Sequence, residues 1–429
     1  MSKENNFMYK KKQLNNGLKI IVSPMPQMSS VSLGIWIGIG GRYESDKESG
    51  ISHFIEHMLF KGTKRRSAKK LKQAIEGVGG VFNGFTADEA TCYMVKIPTQ
   101  HLTLGLDILT DMVFNARFDQ KEIEKEKFVI CEEIKMYKDQ PSEYVNEILG
   151  GIMWPDNSLG RPLTGTIKNV KGFKRDEMIA FRDKSYHPAN MAVIATGNVA
   201  AEKIFSYAAR EFKGSRKKKP SFKSPSLDQT RPRIKYRRRN INQAHVAMGF
   251  YAPQRNRRER FSTKLLSVIL GGNMSSRLFE ELREKYSLCY DISSVYKRHS
   301  DTGEFVIHAG VDNSKALKSV SAILDELRMI RDMGITGDEL ARAREYAKGH
   351  FLLALENTSA RMMWFGDRVI VDKKIPEVQD LLKEIDGITG DDVKKACERI
   401  FRSSLINLSI VGNVSDKDRN NIRVELDKL

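Results

Sequence analysis

No window of this 429-residue chain approaches eighteen uninterrupted apolar residues, so no membrane-spanning helix is expected. Cysteine is scarce. Cys92, Cys131, Cys289 and Cys397 are widely scattered with no C-x-x-C spacing, which excludes a disulfide framework and a cysteine zinc site and leaves four small, buried apolar residues. The first stretch, "MSKENNFMYKKKQLNNGLKIIVSP", has lysines but neither an apolar run nor a small-residue cleavage site, so the expected location is the cytoplasm. Histidine is rare as well, with eight in the chain. What is present, 40 % hydrophobic and 29 % charged residues, is the composition of an ordinary globular protein long enough for two or three domains.

The net charge of +18 suggests a nucleic-acid partner until it is located. Residues 213–239, "KGSRKKKPSFKSPSLDQTRPRIKYRRR", hold twelve Lys or Arg and one Asp, a balance of +11 that leaves +7 for the rest of the chain. With Pro220, Pro225, Pro232 and several serines, the segment reads as a solvated connector, favoured over a nucleic-acid site. The expected division is therefore 1–213, a linker 214–239, and 240–429.

Both sides of the linker show the same order of parts. The β-rich run "VSLGIWIGIGGRYE" (31–44) is matched by "AHVAMGFYAPQRN" (244–256), and "MAVIATGNV" (191–199) by "INLSIVGNV" (406–414). Helical periodicity, as in 101–117 and 121–138, alternates with short strands such as 91–97 and 303–311. An internally duplicated α+β chain is expected, each domain a sheet packed with helices.

The chemistry-bearing segment is "SGISHFIEHMLFKGT", residues 49–63. At about 100° per residue, Ile51, Phe54, Ile55, Met58 and Leu59 cluster on one side of a helix, and His53, Glu56, His57 and Phe60 on the other. Two imidazoles one turn apart can hold a metal, and a surface salt-bridging face is the competing reading. A third ligand is needed. In "IEKEKFVICEEIKMYKDQP" (123–141), Glu126 and Glu133 are two turns apart on a face shared with Val129, Ile130 and Tyr137. Carboxylates among apolar neighbours require a cation, unless that face is exposed.

H-x-x-E-H followed 76 positions later by Glu133 in a "V-I-x-x-E-I" context resembles the inverted zinc motif of the pitrilysin, insulysin and mitochondrial processing peptidase family. "GGVFNGFTADEATCYMVKIP", "LGRPLTGT", "YHPANMAVIATGNV" and "GGNMSSRLFEELREKYSLCYD" follow in family order, from about residue 14 to about 414. The pattern is most similar to the bacterial processing-peptidase-like branch, with two homologous α+β domains per chain, each a mostly antiparallel sheet with helices, facing each other across a chamber.

The resemblance implies one Zn2+ per chain held by His53, His57 and Glu133, with Glu126 behind the ligands and Glu56 as general base for the water that attacks a peptide carbonyl. The second half has no such motif, "RRERFSTKLLSVILGG" standing in its place, and the resemblance gives it substrate contacts through Arg283 and Tyr290 in "LREKYSLCY". Arg283 also reads as a surface charge. Phe60 aligns with an aromatic lining the pocket after the cleaved bond, or serves packing alone. "GGVFNGFT", with Asn83, resembles an edge strand to which a peptide adds. Glu143 and Glu147 in "SEYVNE" resemble acidic residues that receive a basic side chain, or are solvated charges. Asn273 stands where relatives often have glycine.

The implied function is a zinc endopeptidase for short or unfolded peptides, with precursor processing near basic residues as one form, acting as a homodimer without membrane or nucleic-acid partners. A catalytically silent binding or scaffold subunit of the same fold is the alternative.

Overall fold

The computed structural model describes residues 9–215, 217–372 and 374–429. Among these residues there are two sheets. Strands β1 (Lys10–Gln13), β2 (Lys19–Pro24), β3 (Ser30–Ile37), β4 (Val81–Thr86), β5 (Thr91–Pro98) and β6 (Met191–Gly197) form the first, in the order β1-β2-β6-β3-β5-β4. Strands β7 (Arg233–Arg238), β8 (Gln243–Ala252), β9 (Cys289–Arg298), β10 (Gly303–Asp312) and β11 (Asn407–Gly412) form the second, in the order β7-β11-β8-β10-β9.

The duplication is visible in the pairing. β2 with β6, and β7 with β11, are parallel; every other pair is antiparallel. Superposing the two orders places β3 on β8 and β6 on β11, the matches that the sequence runs suggest, and leaves β1 as an addition to the first sheet. The match also places β7 on β2, so the basic segment is not connector throughout: Arg233–Arg238 is an edge strand in register with Asn407–Gly412. The exposed Lys235, Arg237 and Arg238 hide the strand character of this edge while discouraging further pairing.

The chain forms two compact units that do not follow a single cut at the linker. Among the described residues, the first comprises those from Tyr9 to Ile134, Pro162–Lys223 and Leu352–Pro376; the second comprises Lys135–Arg161, Ser224–Phe351 and Glu377–Leu429. Each unit thus takes a helix from the other half of the sequence, and in each that helix covers the second face of the sheet.

In the first unit β3 is buried along all but its first residue, because both faces are covered. Helices Ile51–Leu59 and Leu102–Asn115 contribute to the larger core on one face, with Phe54, Met58, Leu106 and Leu109 among its members. On the other face the Thr358–Asp367 helix brings Met362 and Phe365 to Trp36, Cys92 and Ile194. Ser32 Oγ donates to Thr358 Oγ1 at 2.9 Å and Thr196 Oγ1 to Thr358 O at 2.5 Å, so buried strand hydroxyls fix the start of that helix. In the second unit the Pro141–Met153 helix, with proline in its first turn, lays Val145, Leu149 and Met153 on Ala247, Tyr251 and Val411. Ser409 Oγ donates to Val145 O at 2.7 Å.

All four cysteines are free and buried, as their spacing suggests. No helix among the described residues is long and apolar enough to cross a membrane.

Candidate metal centre

The Ile51–Leu59 helix begins at Gly50, whose φ of 94° lies in the left-handed region. A Cβ there would also meet Thr164 O at 2.7 Å and the Gly165 Cα at 2.8 Å, so the backbone of the "LGRPLTGT" loop packs against the start of the helix. The first N–H groups are satisfied from outside. Glu44, buried at 6 % exposure, accepts from Gly50 N and Ser52 N, each at 2.8 Å, one oxygen apiece. Ile51, Phe54, Ile55, Met58 and Leu59 are all buried, which fixes the rotation of the helix and turns His53 and His57 away from the core.

Facing them is the Gln120–Asp139 helix. His53 Nε2 lies 3.7 Å from Glu133 Oε1, and His57 Nε2 lies 3.6 Å from Glu133 Oε2. One ligand atom from each of the three residues falls within 4.8 Å of the others. A tetrahedral zinc with bonds of about 2.0–2.1 Å separates neighbouring ligand atoms by roughly 3.3 Å. The donor set therefore fits a zinc ion after small movements, and two imidazoles with one carboxylate are the ligands of a catalytic zinc that keeps a fourth position open. All three side chains are partly exposed, at 12 %, 23 % and 21 %, so the cluster is within reach of solvent.

The groups behind the ligands are polar and paired. Glu126, 3 % exposed, accepts from His57 Nδ1 at 3.0 Å and from Lys61 Nζ at 2.5 Å. Accepting from Nδ1–H leaves His57 Nε2 as the ligating nitrogen. Burial alone raises the Glu126 pKa, and the hydrogen bonds from His57 and Lys61 outweigh it, so the net shift is downward and the group is a carboxylate. Burial, with the neighbouring His57, lowers His53 to about 3, which keeps its imidazole neutral.

Glu56 is buried on the same face, and Thr86 Oγ1, at the end of β4, donates to its Oε2 at 2.6 Å. Burial raises the Glu56 pKa and Glu133 adds to the rise, against the opposing effects of Thr86 and His57. A carboxylate raised by burial is a stronger base than an exposed one.

Sequence reading places the cluster of His53, His57, Glu133, Glu126 and Glu56 together, and the fold brings them together. The apolar face expected around the two glutamates is only partly so: Ile130 is buried, but Val129 and Tyr137 are 45 % and 37 % exposed. Phe60 packs on Phe82 and Tyr93, ring centroids 5.4 and 6.3 Å away. Asn83 is exposed on β4, which is an edge strand, and its side chain accepts from Gly84 N.

The remaining candidates lie in the second unit. The Arg283 guanidinium sits over Tyr290 and Phe279, 5.2 and 4.7 Å from the ring centroids, so Arg283 and Tyr290 form a pair; Tyr290 is 74 % exposed. Glu143 is exposed on the Pro141–Met153 helix, while Glu147 is half-buried and its pKa is raised by burial despite Lys138.

Three residues escape the sequence reading: Thr86, Lys61 and Glu44. Lys61 carries a legible signal, four residues after His57 and so on the same helical side. Thr86 and Glu44 do not, because their partners are chosen by the packing of separate segments.

Paired histidines with a carboxylate, on a sheet-and-helix frame, make a donor set of the kind that holds a catalytic zinc. The family model "Insulinase (Peptidase family M16)" matches residues 19–167, and "Peptidase M16 inactive domain" matches 172–346. The uncharacterized zinc protease YmxG of Bacillus subtilis is 32 % identical over 415 residues, covering 95 % of this chain and 100 % of YmxG. An uncharacterized zinc protease of Streptomyces coelicolor is 34 % identical, covering 94 % of this chain and 89 % of its own. Among solved structures, a protease from Helicobacter pylori has a TM-score of 0.89 at 22 % identity, covering 94 % of this chain and 99 % of that one. A chain of complex III2 from Candida albicans has a TM-score of 0.84 at 20 % identity, covering 97 % and 99 %. The chain belongs to peptidase family M16.

Proposed function

We propose that this chain is a zinc-dependent endopeptidase of the cytoplasm that hydrolyses short or unfolded peptides. The observation that carries the reading is the convergence of His53, His57 and Glu133, with Glu56 on the same helix face. A zinc ion held there would supply a Lewis acid that polarises the scissile carbonyl and lowers the pKa of a water. Glu56 takes the proton of the attacking water and hands it to the leaving amine, its carboxylate oriented by Thr86. Glu126 holds His57 in the ligating tautomer. Along β4 the exposed edge and Asn83 accept an extended peptide as an added strand, with Phe60 beside the residue after the cut. Arg283 and Tyr290 serve as donors to the peptide or to the oxyanion, and Glu143 and Glu147 select a basic residue upstream of the cut. The working form is a homodimer with one zinc per chain.

Chelator-stripped protein is given zinc in steps while it turns over a set of quenched fluorescent peptides with and without internal arginine. Activity rising to a plateau at one zinc per chain, with arginine peptides preferred, supports the reading. Stoichiometric zinc uptake without cleavage of any peptide would favour a silent binding subunit.

A further inference from the structure

The Glu126 carboxylate is nearly out of solvent, and both of its oxygens are taken: Oε2 by His57 Nδ1 at 3.0 Å, Oε1 by Lys61 Nζ at 2.5 Å. Lys61 lies just beyond the helix that carries the histidines. Its backbone N–H bonds Met58 O at 3.1 Å, which ties the base of the side chain to the last turn of that helix. His57, the helix backbone, Lys61 and Glu126 therefore form a closed ring in which the carboxylate is the shared member.

A carboxyl group rotates easily about its terminal bond, because that torsion has broad, shallow minima. Held by His57 alone, the carboxylate of Glu126 could rotate or exchange oxygens, and the imidazole would turn with it. A charged donor on the second oxygen stops that rotation, and charge-assisted bonds are the ones strong enough to do so. The held geometry is the one in which His57 Nε2 points to Glu133 at 3.6 Å. The Lys61 side chain is partly exposed, and its acidic partner is Glu126.

Resting on the zinc reading above, we infer that Lys61 is a positioning residue of the metal centre, acting through Glu126 to hold His57 in its ligating orientation. Outer partners of metal-bound histidines typically contribute about 10- to 100-fold to metal affinity, and a group one bond further out belongs at the lower end of that range.

The test uses the full chain, stripped of metal and titrated with zinc against a chromophoric chelator. Lys61→Met is expected to weaken zinc binding about tenfold, Lys61→Arg to restore most of the loss, and Lys61→Met to add almost nothing in a Glu126→Gln background. Should Lys61→Met fail to fold, Lys61→Gln carries the same comparison. Thermal unfolding of the metal-free proteins separates a mere tie between helices: a lowered midpoint with unchanged zinc affinity would overturn the inference. So would an equal loss of affinity in the Glu126→Gln background, since Lys61 would then act by another route. Wild-type protein that binds zinc and cleaves peptide, beside a Lys61→Met variant of identical affinity, removes this inference alone; wild-type protein that binds no zinc removes the peptidase reading with it.

Discussion

The acidic groups of this chain are held by different partners, and the partner decides what acid does to each. In the second unit Arg277 meets Glu339 through Nε at 2.6 Å and a second nitrogen at 2.8 Å, and Thr336 N adds a bond at 2.8 Å. The Arg277 hydrogen bonds, followed by those of Thr336 and against the cost of burial, pull the Glu339 pKa from 4.5 to about 2. A folded-state pKa below the unfolded one means that the stabilisation is complete above pH about 4.5 and is lost as pH falls toward about 2. Glu339→Gln should therefore lower stability at pH 7 by about 1–2 kcal/mol and flatten its fall between those pH values, as measured by urea unfolding at a series of pH values. An unchanged acid slope would contradict this. At the same scale, helical spacing puts His53 with His57 and Glu126 with Glu133 on shared faces, while the choice of Glu133 rather than Glu126 as the third candidate ligand comes from the family resemblance alone. The hydrogen bond from Thr86 to Glu56 was not legible, because thirty residues and a strand separate them.

Elements are placed by close backbone approach and by their ends. The Thr358–Asp367 helix crosses β3 at Gly366, where a Cβ would come within 1.9 Å of the Trp36 ring. Gly366→Ala should displace the helix or the indole and cost about 2–3 kcal/mol in chemical unfolding; a loss under 0.5 kcal/mol would show that the ring yields freely. Glu44 binds two N–H groups at the start of the ligand helix, and Glu44→Ala leaves them buried without that acceptor. A loss of about 2 kcal/mol is expected by the same measurement, and an unchanged midpoint would mean that water replaces the carboxylate at no cost. Sequence periodicity puts helices at 101–117 and 121–138 and strands at 91–97 and 303–311, each end within two residues of Leu102–Asn115, Gln120–Asp139, Thr91–Pro98 and Gly303–Asp312. It missed β7 because its Arg and Lys residues read as solvated linker, and it missed the exchange of covering helices because an amphipathic face does not say which sheet it will cover. The face of Val145, Leu149 and Met153 is spent on β8 and β11, a choice made by three-dimensional complementarity alone.

For the whole molecule, duplication explains both the symmetry and its breakage. The two sheets share one strand order, but the ligand helix of the first copy corresponds to Glu259–Gly271 in the second, which has no histidine and is buried along most of its length. Of these two corresponding helices, only the first carries the histidines of the candidate metal site. That account stands on Glu56 acting as the base beside a zinc held by its neighbours. The most direct measurement is turnover of a quenched arginine-containing peptide by wild type and by Glu56→Gln, with zinc content determined on the same samples. Equal zinc with turnover reduced at least about 100-fold in the variant is the predicted result. Equal zinc with turnover within a factor of two would contradict it, and would assign proton transfer to another group.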